Sequence, residues 1–283
     1  MTSADPTDTA PLAGKTLIMS GGSRGIGLAI AERVARDGAN VALIAKTDNP
    51  DPRLPGTIHT AAQAVEAAGG QVLPIVGDIR DEDGVAQAVA RTVEQFGGID
   101  IVVNNASAIN LTNIGDLPAK RYDLMLDINA RGTFVLTSLA LPHLAKSANP
   151  HVLTLSPPLD MDRKWLANFA PYTVSKYAMT MLTLGVAESR RADGIAANCL
   201  WPRTLIATAA VQNIVGGDDG LAGSRKPEIV ADAAYEILRR PARECTGNTF
   251  VDDDVLADAG VTDLDAYRLD PTSSADLALD IFL

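Results

Sequence analysis

A glycine-rich turn between two different segments is the feature of this chain that most limits its fold. Thr16–Ser20 is a short apolar run typical of a buried strand, and Ile26–Arg36 carries apolar residues at helical spacing. Glycines between them let the backbone bend tightly and approach an anion, which the first N–H groups of the helix then face. This context predicts a pyrophosphate-binding turn, and a tight turn without a ligand is the alternative. The predicted cofactor-binding residues are Gly21, Ser23, Arg24, Gly25, Ile26 and Gly27.

Strand-like and helix-like segments continue to alternate after this turn. The predicted strands are Thr16–Ser20, Asn40–Ala45, Gln71–Val76, Ile99–Val103, Val152–Leu155, Ile195–Leu200 and Asn248–Val251. The predicted helices are Ile26–Arg36, Ile58–Ala68, Asp81–Phe96, Arg121–Lys146, Pro171–Ser189 and Glu228–Arg239. Because the strands are almost continuously apolar, helices are expected to cover both faces of the sheet. The alternation predicts the α/β class, as a single Rossmann-type, doubly wound parallel sheet with helices on both faces.

Three regions divide the chain. Residues 1–14 are polar and aperiodic and are expected to be an N-terminal extension, whereas residues 15–251 form the Rossmann domain. Residues 252–283 are acidic and irregular, and end in apolar residues. We expect this C-terminal tail to pack on the domain or at an oligomer interface.

Charge and composition restrict the classes of partner. The formal net charge of −11 disfavours nucleic acid. The two cysteines and three histidines have no ligand spacing, so no metal site is expected. No apolar run reaches the ~20 residues that span a bilayer, so no membrane partner is expected. The first fourteen residues lack the basic and apolar parts of a signal peptide, which predicts a cytoplasmic protein.

The end of the second predicted strand bears on the choice of nicotinamide cofactor. An Asp or Glu there usually binds the ribose hydroxyls of NAD, but Lys46 follows the strand instead. Together with Arg24 it would suit a 2′-phosphate, which predicts NADP; an ordinary solvated lysine is the alternative. Asp48 lies nearby and complicates the charge argument. Asp78, just after the third strand, is placed to accept a bond from the adenine amino group, and Ile79 beside it completes this part of the predicted cofactor site.

Tyr172 and Lys176 form the main candidate for chemistry. Four residues apart on a predicted helix, their side chains share one face. A free tyrosine has a pKa of about 10, too high for ready proton exchange at neutral pH. A nearby ammonium stabilises the phenolate and lowers that pKa. The pair therefore predicts proton transfer to a carbonyl beside a hydride donor, with Lys176 also bonding the nicotinamide ribose.

Several motifs in order resemble the short-chain dehydrogenase/reductase family over roughly residues 13–251. The glycine turn matches TGxxxGIG with Ser20 in place of threonine, and Asn104-Asn105-Ala106 matches NNAG with Ser107 replacing glycine. The resemblance implies that Asn105 belongs to the cofactor site. It also implies that Asn129 holds a proton-relay water and that Tyr172 and Lys176 are the catalytic pair.

A closer resemblance is to the hydroxysteroid dehydrogenase-like protein 2 subgroup. It is carried by the stretches 45–47, 55–58, 104–109, 155–159 and 201–202. This resemblance implies NADP dependence, a small-molecule substrate, here expected to be apolar and lipid- or steroid-like, and a homo-oligomer, either dimer or tetramer. Some members carry an additional sterol-carrier-like domain, which this chain is expected to lack.

The chain departs from the family at the tetrad serine, which usually lies about thirteen residues before the tyrosine. Neither Pro157 nor Leu159, the two aligned positions, has a hydroxyl. Ser156 is the nearest candidate, yet adjacent strand residues point to opposite faces. It is either catalytic or a strand-end hydroxyl bonded to the backbone. The alternative function is therefore a non-catalytic NADP-binding sensor or scaffold protein.

The family's Pro-Gly after the sixth strand is Pro202-Arg203 in this chain. Proline can still stiffen the loop around the nicotinamide, so Pro202 is included in the predicted cofactor site. Thr204 is predicted to bond the carboxamide, with Thr208 as the alternative.

Overall fold

The computed structural model describes residues 10–51, 55–215, 221–272 and 276–283. Its centre is a seven-stranded parallel sheet in the order β3-β2-β1-β4-β5-β6-β7. The strands are β1 Thr16–Ser20, β2 Asn40–Ala45, β3 Gln71–Val76, β4 Ile101–Asn104, β5 His151–Leu155, β6 Ala196–Trp201 and β7 Thr249–Val251. The chain reverses its direction of travel across the sheet between β3 and β4, which places a crevice at the carboxyl ends of β1 and β4.

Helices cover both faces of the sheet, which confirms the predicted doubly wound α/β fold. They are α1 Gly25–Ala35, α2 Ile58–Ala67, α3 Glu82–Phe96, α4 Ala119–Leu126, α5 Gly132–Leu144, α6 Arg163–Ser189, α7 Glu228–Leu238 and α8 Asp252–Asp258. One buried apolar cluster joins α1, α2, α7 and α8 to the sheet, and a second joins α3 and α5 to the opposite face. Neighbouring residues Leu17 and Ile18 of β1 belong to different clusters, because successive strand side chains alternate between faces.

Most bounds differ from the sequence prediction by no more than two residues, and three regions differ in more than their bounds. The helix carrying Tyr172 begins at Arg163 and not at Pro171, with a kink at Phe169 (φ −146°, ψ 45°) just before that proline. The predicted helix Arg121–Lys146 contains a π-helical segment, Asp127–Arg131, between α4 and α5. The acidic stretch expected to be irregular begins with helix α8, since Asp252, Asp253 and Asp254 in its first turn favour the positive helix end.

One helical stretch, Ala119–Leu144, is long and apolar enough to cross a membrane by length and composition alone. Polar residues interrupt this stretch, so the sequence contains no continuous apolar run of that length. Of its apolar window, 44% is buried inside the protein, where Val135, Leu136 and Ala140 pack against the sheet. A core helix passes the same test, so this packing accounts for its apolar character.

The C-terminal residues return across the carboxyl end of the sheet. Thr204, after β6, forms an antiparallel bridge with Leu279. The indole N–H of Trp201 donates to the Ile281 carbonyl over 2.8 Å. Phe282 is only 1% exposed and packs in a third apolar cluster with Tyr172 and Tyr177. Residues 276–283 therefore form a wall at the carboxyl edge of the sheet. The glycine turn after β1 lies at the same edge.

Candidate active site

A cavity of about 790 Å³, including its open mouth, lies over the carboxyl ends of β1, β4, β5 and β6. The polar side chains that line it are Asn105, Ser107, Tyr172, Lys176, Thr208 and Asp280. Its apolar lining comes from Ile26, Ile109, Leu155, Trp201, Pro202, Leu205, Ile206, Val211 and Ile281, together with Ala210. Within the described residues, no group of three or more His, Cys, Asp or Glu side chains could hold a metal ion.

The glycine turn is packed so closely that side chains are excluded. A Cβ on Gly21 would lie 2.9 Å from the Ala106 backbone, and one on Gly27 would lie 2.5 Å from the Asn105 amide nitrogen. Asn105 holds the turn by donating to the Gly21 carbonyl over 2.7 Å. Gly25 opens α1 with φ +55°, a conformation that favours glycine. The turn thus leaves backbone N–H groups at the start of α1 next to the cavity, an arrangement that fits a pyrophosphate.

The remaining residues predicted in the turn divide into two groups. Ile26 lines the cavity, and Ser23 is buried beside it. Arg24 points away from the turn towards the end of β2, where its guanidinium donates to the Thr47 hydroxyl over 2.7 Å and to the Gly56 carbonyl over 3.0 Å. The end of β2 is therefore flanked by a cation of the glycine turn, as the sequence predicted.

Lys46 and Asp78 form an ion pair at the same strand ends. Lys46 is 59% exposed and its ammonium lies 3.1 Å from the Asp78 carboxylate, which also accepts from the Arg80 guanidinium over 2.6 Å. The Arg80 hydrogen bond, aided by Lys46, holds the pKa of Asp78 well below its usual range. An adenine amino group would therefore have to share a carboxylate that already has two partners. Asp48, which complicated the charge argument, pairs with His59 over 2.7 Å.

Ile79 and Thr204 lie outside the cavity lining. The Ile79 side chain packs in the core, so close to α5 that a Cβ on Gly132 would lie 2.8 Å from it. Only its backbone is left for a cofactor. Thr204 is buried under Leu279. Thr208, the alternative, lines the cavity and contacts Gly25, so the structure favours Thr208 over Thr204 for the carboxamide.

Tyr172 and Lys176 share one face of α6 and both line the cavity, as predicted. They are 4% and 2% exposed. The Lys176 ammonium donates to the Leu155 carbonyl over 2.6 Å. Burial lowers the pKa of Lys176 to about 7, against the opposing pull of Asp280.

The expected lowering of the Tyr172 pKa is wrong for this structure. Burial raises the pKa of Tyr172 above its ordinary value and the negative charge of Asp280 adds to the rise, whereas a hydrogen bond with Ser107 opposes it. Desolvation, which the spacing of Tyr172 and Lys176 along the chain does not reveal, is the largest effect on this phenol.

Asn129 lies in the π-helical segment and is completely buried. Its amide accepts from the Ala108 N–H over 2.7 Å and donates to the Ala108 carbonyl over 2.9 Å. Its second N–H donates to the Ser175 hydroxyl over 2.9 Å, and that hydroxyl donates to the Tyr172 carbonyl over 2.8 Å. Since both amide hydrogens are used, the side chain positions the loop after β4 against α6. The predicted role of holding a relay water has no support from these side-chain contacts.

Ser156 does not face Tyr172. It is 0% exposed, lies outside the cavity lining and has its hydroxyl beside the Cys199 thiol of β6. Strand alternation is the reason, because the two prolines that follow do not turn it towards the cavity. Ser107, in contrast, lines the cavity together with Tyr172.

The C-terminal residues supply two further parts of the site that the sequence analysis missed. Asp280 brings a carboxyl group into the cavity with Tyr172 and Lys176. Phe282 stacks on the Tyr172 ring with centroids 6.0 Å apart and planes 24° from parallel. The apolar ending Ile281-Phe282-Leu283 predicts that the tail packs on the protein, but no signal in the sequence places it at the cavity.

Asp280 should make stability depend on pH. Burial raises its pKa to about 7, and the negative charge of Asp252 adds to this, whereas Lys176 opposes it. Between about pH 4 and 7 the folded protein therefore holds a proton that the unfolded chain releases, so this group's contribution falls as pH rises through 7. Asparagine cannot ionise, so the Asp280→Asn variant lacks this loss. From pH 5 to pH 8, we expect its free energy of unfolding to rise by about 1–2 kcal/mol relative to that of the unmodified protein.

Thermal unfolding at the two pH values measures this difference. Asp258→Asn, at the exposed end of α8, is the matched control and should follow the unmodified protein at both. Equal changes in melting temperature for Asp280→Asn and the unmodified protein would contradict the prediction.

Comparison with known proteins agrees with this geometry. A family model described as short chain dehydrogenase matches residues 15–218. Hydroxysteroid dehydrogenase-like protein 2 of Danio rerio is 52% identical over 264 residues, which cover 93% of this chain and 63% of that protein. The human protein of that name is 47% identical over 264 residues, 93% of this chain and 62% of its own length. The chain thus spans somewhat less than two thirds of these curated relatives.

Two crystal structures are similar over nearly the whole chain. A short chain dehydrogenase from Mycobacterium thermoresistibile is 60% identical, with a TM-score of 0.90 and 96% of each chain covered. A protein from Xanthomonas campestris is 54% identical, with a TM-score of 0.92 over 96% of this chain and 98% of its own. The predicted resemblance to the hydroxysteroid dehydrogenase-like protein 2 subgroup is confirmed by these relatives.

Proposed function

Since this chain belongs to the short-chain dehydrogenase/reductase family, we propose that it is an NADP-dependent oxidoreductase that interconverts a carbonyl and a secondary alcohol. The observation that carries this proposal is the meeting of two sets of residues in one cavity. The cavity borders the glycine turn, and Tyr172 and Lys176 open into it from α6. Oxidoreductases of this family use a nicotinamide cofactor.

The mechanism follows from where each group lies. When bound, the nicotinamide supplies or accepts the hydride, with its pyrophosphate held by the N–H groups at the start of α1. Tyr172 holds a proton on its phenol oxygen, gives it to the carbonyl oxygen as the alcohol forms, and takes it back in the reverse direction. With the cofactor bound, the Lys176 ammonium would donate hydrogen bonds to the ribose hydroxyls in place of the Leu155 carbonyl. In its charged form it offsets part of the cost that burial places on the phenolate.

The preference for NADP rests on the two cations at the end of β2. Arg24 lies beside Thr47, and Lys46 is the residue at which an NAD site would have a carboxylate. A guanidinium binds a phosphate through paired charge-assisted hydrogen bonds. The Lys46 ammonium is instead paired with the Asp78 carboxylate, which would compete with a phosphate for it. Arg24 is therefore expected to contribute more than Lys46 to recognition of the 2′-phosphate.

Arg24→Ala should weaken NADPH binding by about 10- to 100-fold, because charge-assisted hydrogen bonds contribute roughly 1.5–3 kcal/mol. The affinity for NADH should change little. Quenching of tryptophan fluorescence by each cofactor measures both constants. Arg36→Ala, at the other end of α1, is the control and should bind NADPH normally. Equal losses for NADPH and NADH would show that Arg24 does not select the cofactor.

The cavity lining favours an apolar substrate. The apolar side chains of Ile109, Trp201, Leu205 and Ile281 line the cavity together with Tyr172. Asp280 adds a carboxyl group that would repel anions once ionised. We therefore expect neutral carbonyl compounds with apolar bodies, of lipid or steroid type, to be preferred over keto acids.

A non-catalytic NADP-binding protein is the second candidate, and the position of Ser156 away from the cavity favours it. A panel of aliphatic, cyclic and steroid ketones, with NADPH consumption followed by absorbance, separates the two functions. The oxidoreductase should consume NADPH with at least one ketone. A protein that gains thermal stability with NADPH but reduces none of them would be a binder or scaffold.

We also propose a homo-oligomer, with α5 and α6 pairing between subunits. Phe134 on α5 and Val174 and Met181 on α6 are exposed apolar side chains on these two helices. Exposed apolar patches of this kind mark interfaces more often than isolated surface positions do. Light scattering of the purified protein would distinguish a monomer from a dimer or tetramer.

A further inference from the structure

A carbonyl that receives a hydride needs more than one hydrogen-bond donor at its oxygen, where negative charge develops. Tyr172 is one donor. Ser156, the residue nearest in sequence to a second, is fully buried outside the cavity lining, with its hydroxyl beside Cys199. We propose that Ser107, which stands where the family's motif has glycine, supplies the second hydroxyl to the substrate oxygen.

Access and position support this assignment. Ser107 is exposed and lines the same cavity as the buried Tyr172. The described cavity lining holds only one other aliphatic hydroxyl, that of Thr208, and its side chain packs against Gly25 in the cofactor turn. Ser107 is thus the side-chain hydroxyl of this lining that can face the same substrate oxygen as Tyr172.

The backbone on both sides of Ser107 is held firmly. Before it, the N–H groups of Asn105 and Ala106 both donate to the Ser20 hydroxyl, over 3.3 and 3.2 Å. After it, Ala108 is bonded through its N–H and its carbonyl to the Asn129 amide. A donor that is fixed before the reaction loses little entropy when charge develops, which is what a catalytic hydrogen bond requires.

The same network ties Ser107 to the turn of α6 that carries Tyr172. Asn129 donates to Ser175, and Ser175 donates to the Tyr172 carbonyl over 2.8 Å. One chain of hydrogen bonds therefore joins the backbone next to Ser107 to the backbone of Tyr172. Asn129 and Ser175 are positioning residues in this arrangement.

Ser107 transfers no proton in this proposal. It donates a hydrogen bond to the oxygen while Tyr172 alone gives up its proton, so the overall reaction is unchanged. Because the Ser107 bond also opposes the rise in the Tyr172 pKa, its loss should move the pH profile as well as the rate. The inference rests on the oxidoreductase function proposed above.

Ser107→Ala tests it, with the ketone that turns over fastest in the panel. We expect kcat to fall by about 100-fold, as for removal of one oxyanion donor, with NADPH affinity within about twofold. In the alcohol-oxidising direction, the pH at which activity reaches half its maximum should move upward. Ser107→Thr, which keeps a hydroxyl, should recover part of kcat. Ser156→Ala is the matched control and should keep kcat within about threefold.

The outcomes separate the two proposals. An active unmodified protein whose Ser107→Ala variant keeps full kcat and the same pH profile would overturn the role of Ser107 and leave the oxidoreductase function standing. A loss of kcat in Ser156→Ala with none in Ser107→Ala would return the role to Ser156. An unmodified protein that binds NADPH but reduces no ketone would overturn both.

Discussion

Tyr172→Phe should abolish turnover while leaving the fold and cofactor affinity nearly unchanged. The substitution removes one oxygen and keeps the ring, which continues to stack on Phe282. With no phenol to give a proton to the carbonyl oxygen, kcat should fall by about 10³-fold or more, in the range found for loss of a general acid. Steady-state rates with NADPH and a ketone measure kcat, and fluorescence quenching measures cofactor affinity.

Tyr177 on the same helix offers a matched control. It is buried to a similar degree, also packs on Phe282, and donates from its hydroxyl to the Asp160 carbonyl outside the cavity lining. Tyr177→Phe should lose some stability, since it breaks a buried hydrogen bond, but keep kcat within a few-fold. Full activity of Tyr172→Phe, or an equal loss in both variants, would remove Tyr172 from the proton-transfer step.

The sequence predicted those parts of the molecule that are determined locally. β1, β2 and β3 have the predicted bounds, because each is an apolar run with a glycine turn on at least one side. The placement of Tyr172 and Lys176 in one cavity also followed from local spacing on a helix. The carboxyl ends of parallel strands meet at one edge, so the glycine turn necessarily lies near them.

What the sequence could not predict depends on contacts between distant residues. Ser107 and Tyr172 are brought to one cavity by the fold, and only the structure shows that Ser107 lines it and Ser156 does not. The direction of the Tyr172 pKa depends on burial under Phe282, a residue 110 positions later in the chain. Lys46 is bound to Asp78 across two strands, which the spacing along the chain does not reveal.

The second large effect is expected in the tail at residues 276–283, because the side chain of Phe282 makes most of its aromatic packing. Phe282 contacts five aromatic rings, those of Trp165, Phe169, Tyr172, Tyr177 and Trp201, at centroid distances from 5.3 to 6.2 Å. It does so at φ 79°, a left-handed conformation that is costly for a bulky residue and is held by this packing. Removing the ring removes the packing and leaves the strain.

Phe282→Ala should therefore release the tail while the sheet stays folded. Loss of a buried phenylalanine costs about 3–5 kcal/mol, which weakens docking of the tail by roughly 10²- to 10⁴-fold. Release would expose the Tyr172 ring and remove Asp280 and Ile281 from the cavity wall, so kcat/KM should fall by about tenfold or more. Because the Trp201 indole would lose the Ile281 carbonyl and become exposed to water, its fluorescence should shift to longer wavelength.

Leu279→Ala is the control within the same segment, because Leu279 is 62% exposed and its backbone forms the bridge to Thr204. It should keep the fluorescence and kcat/KM of the unmodified protein. The far-ultraviolet circular dichroism of Phe282→Ala should stay close to that of the unmodified protein, since the two core clusters on the sheet do not include Phe282. If Phe282→Ala keeps both its tryptophan emission and its kcat/KM, the cavity wall does not depend on the aromatic cluster. In that case the backbone bonds of residues 278–281 to the loop after β6 must hold the tail without it.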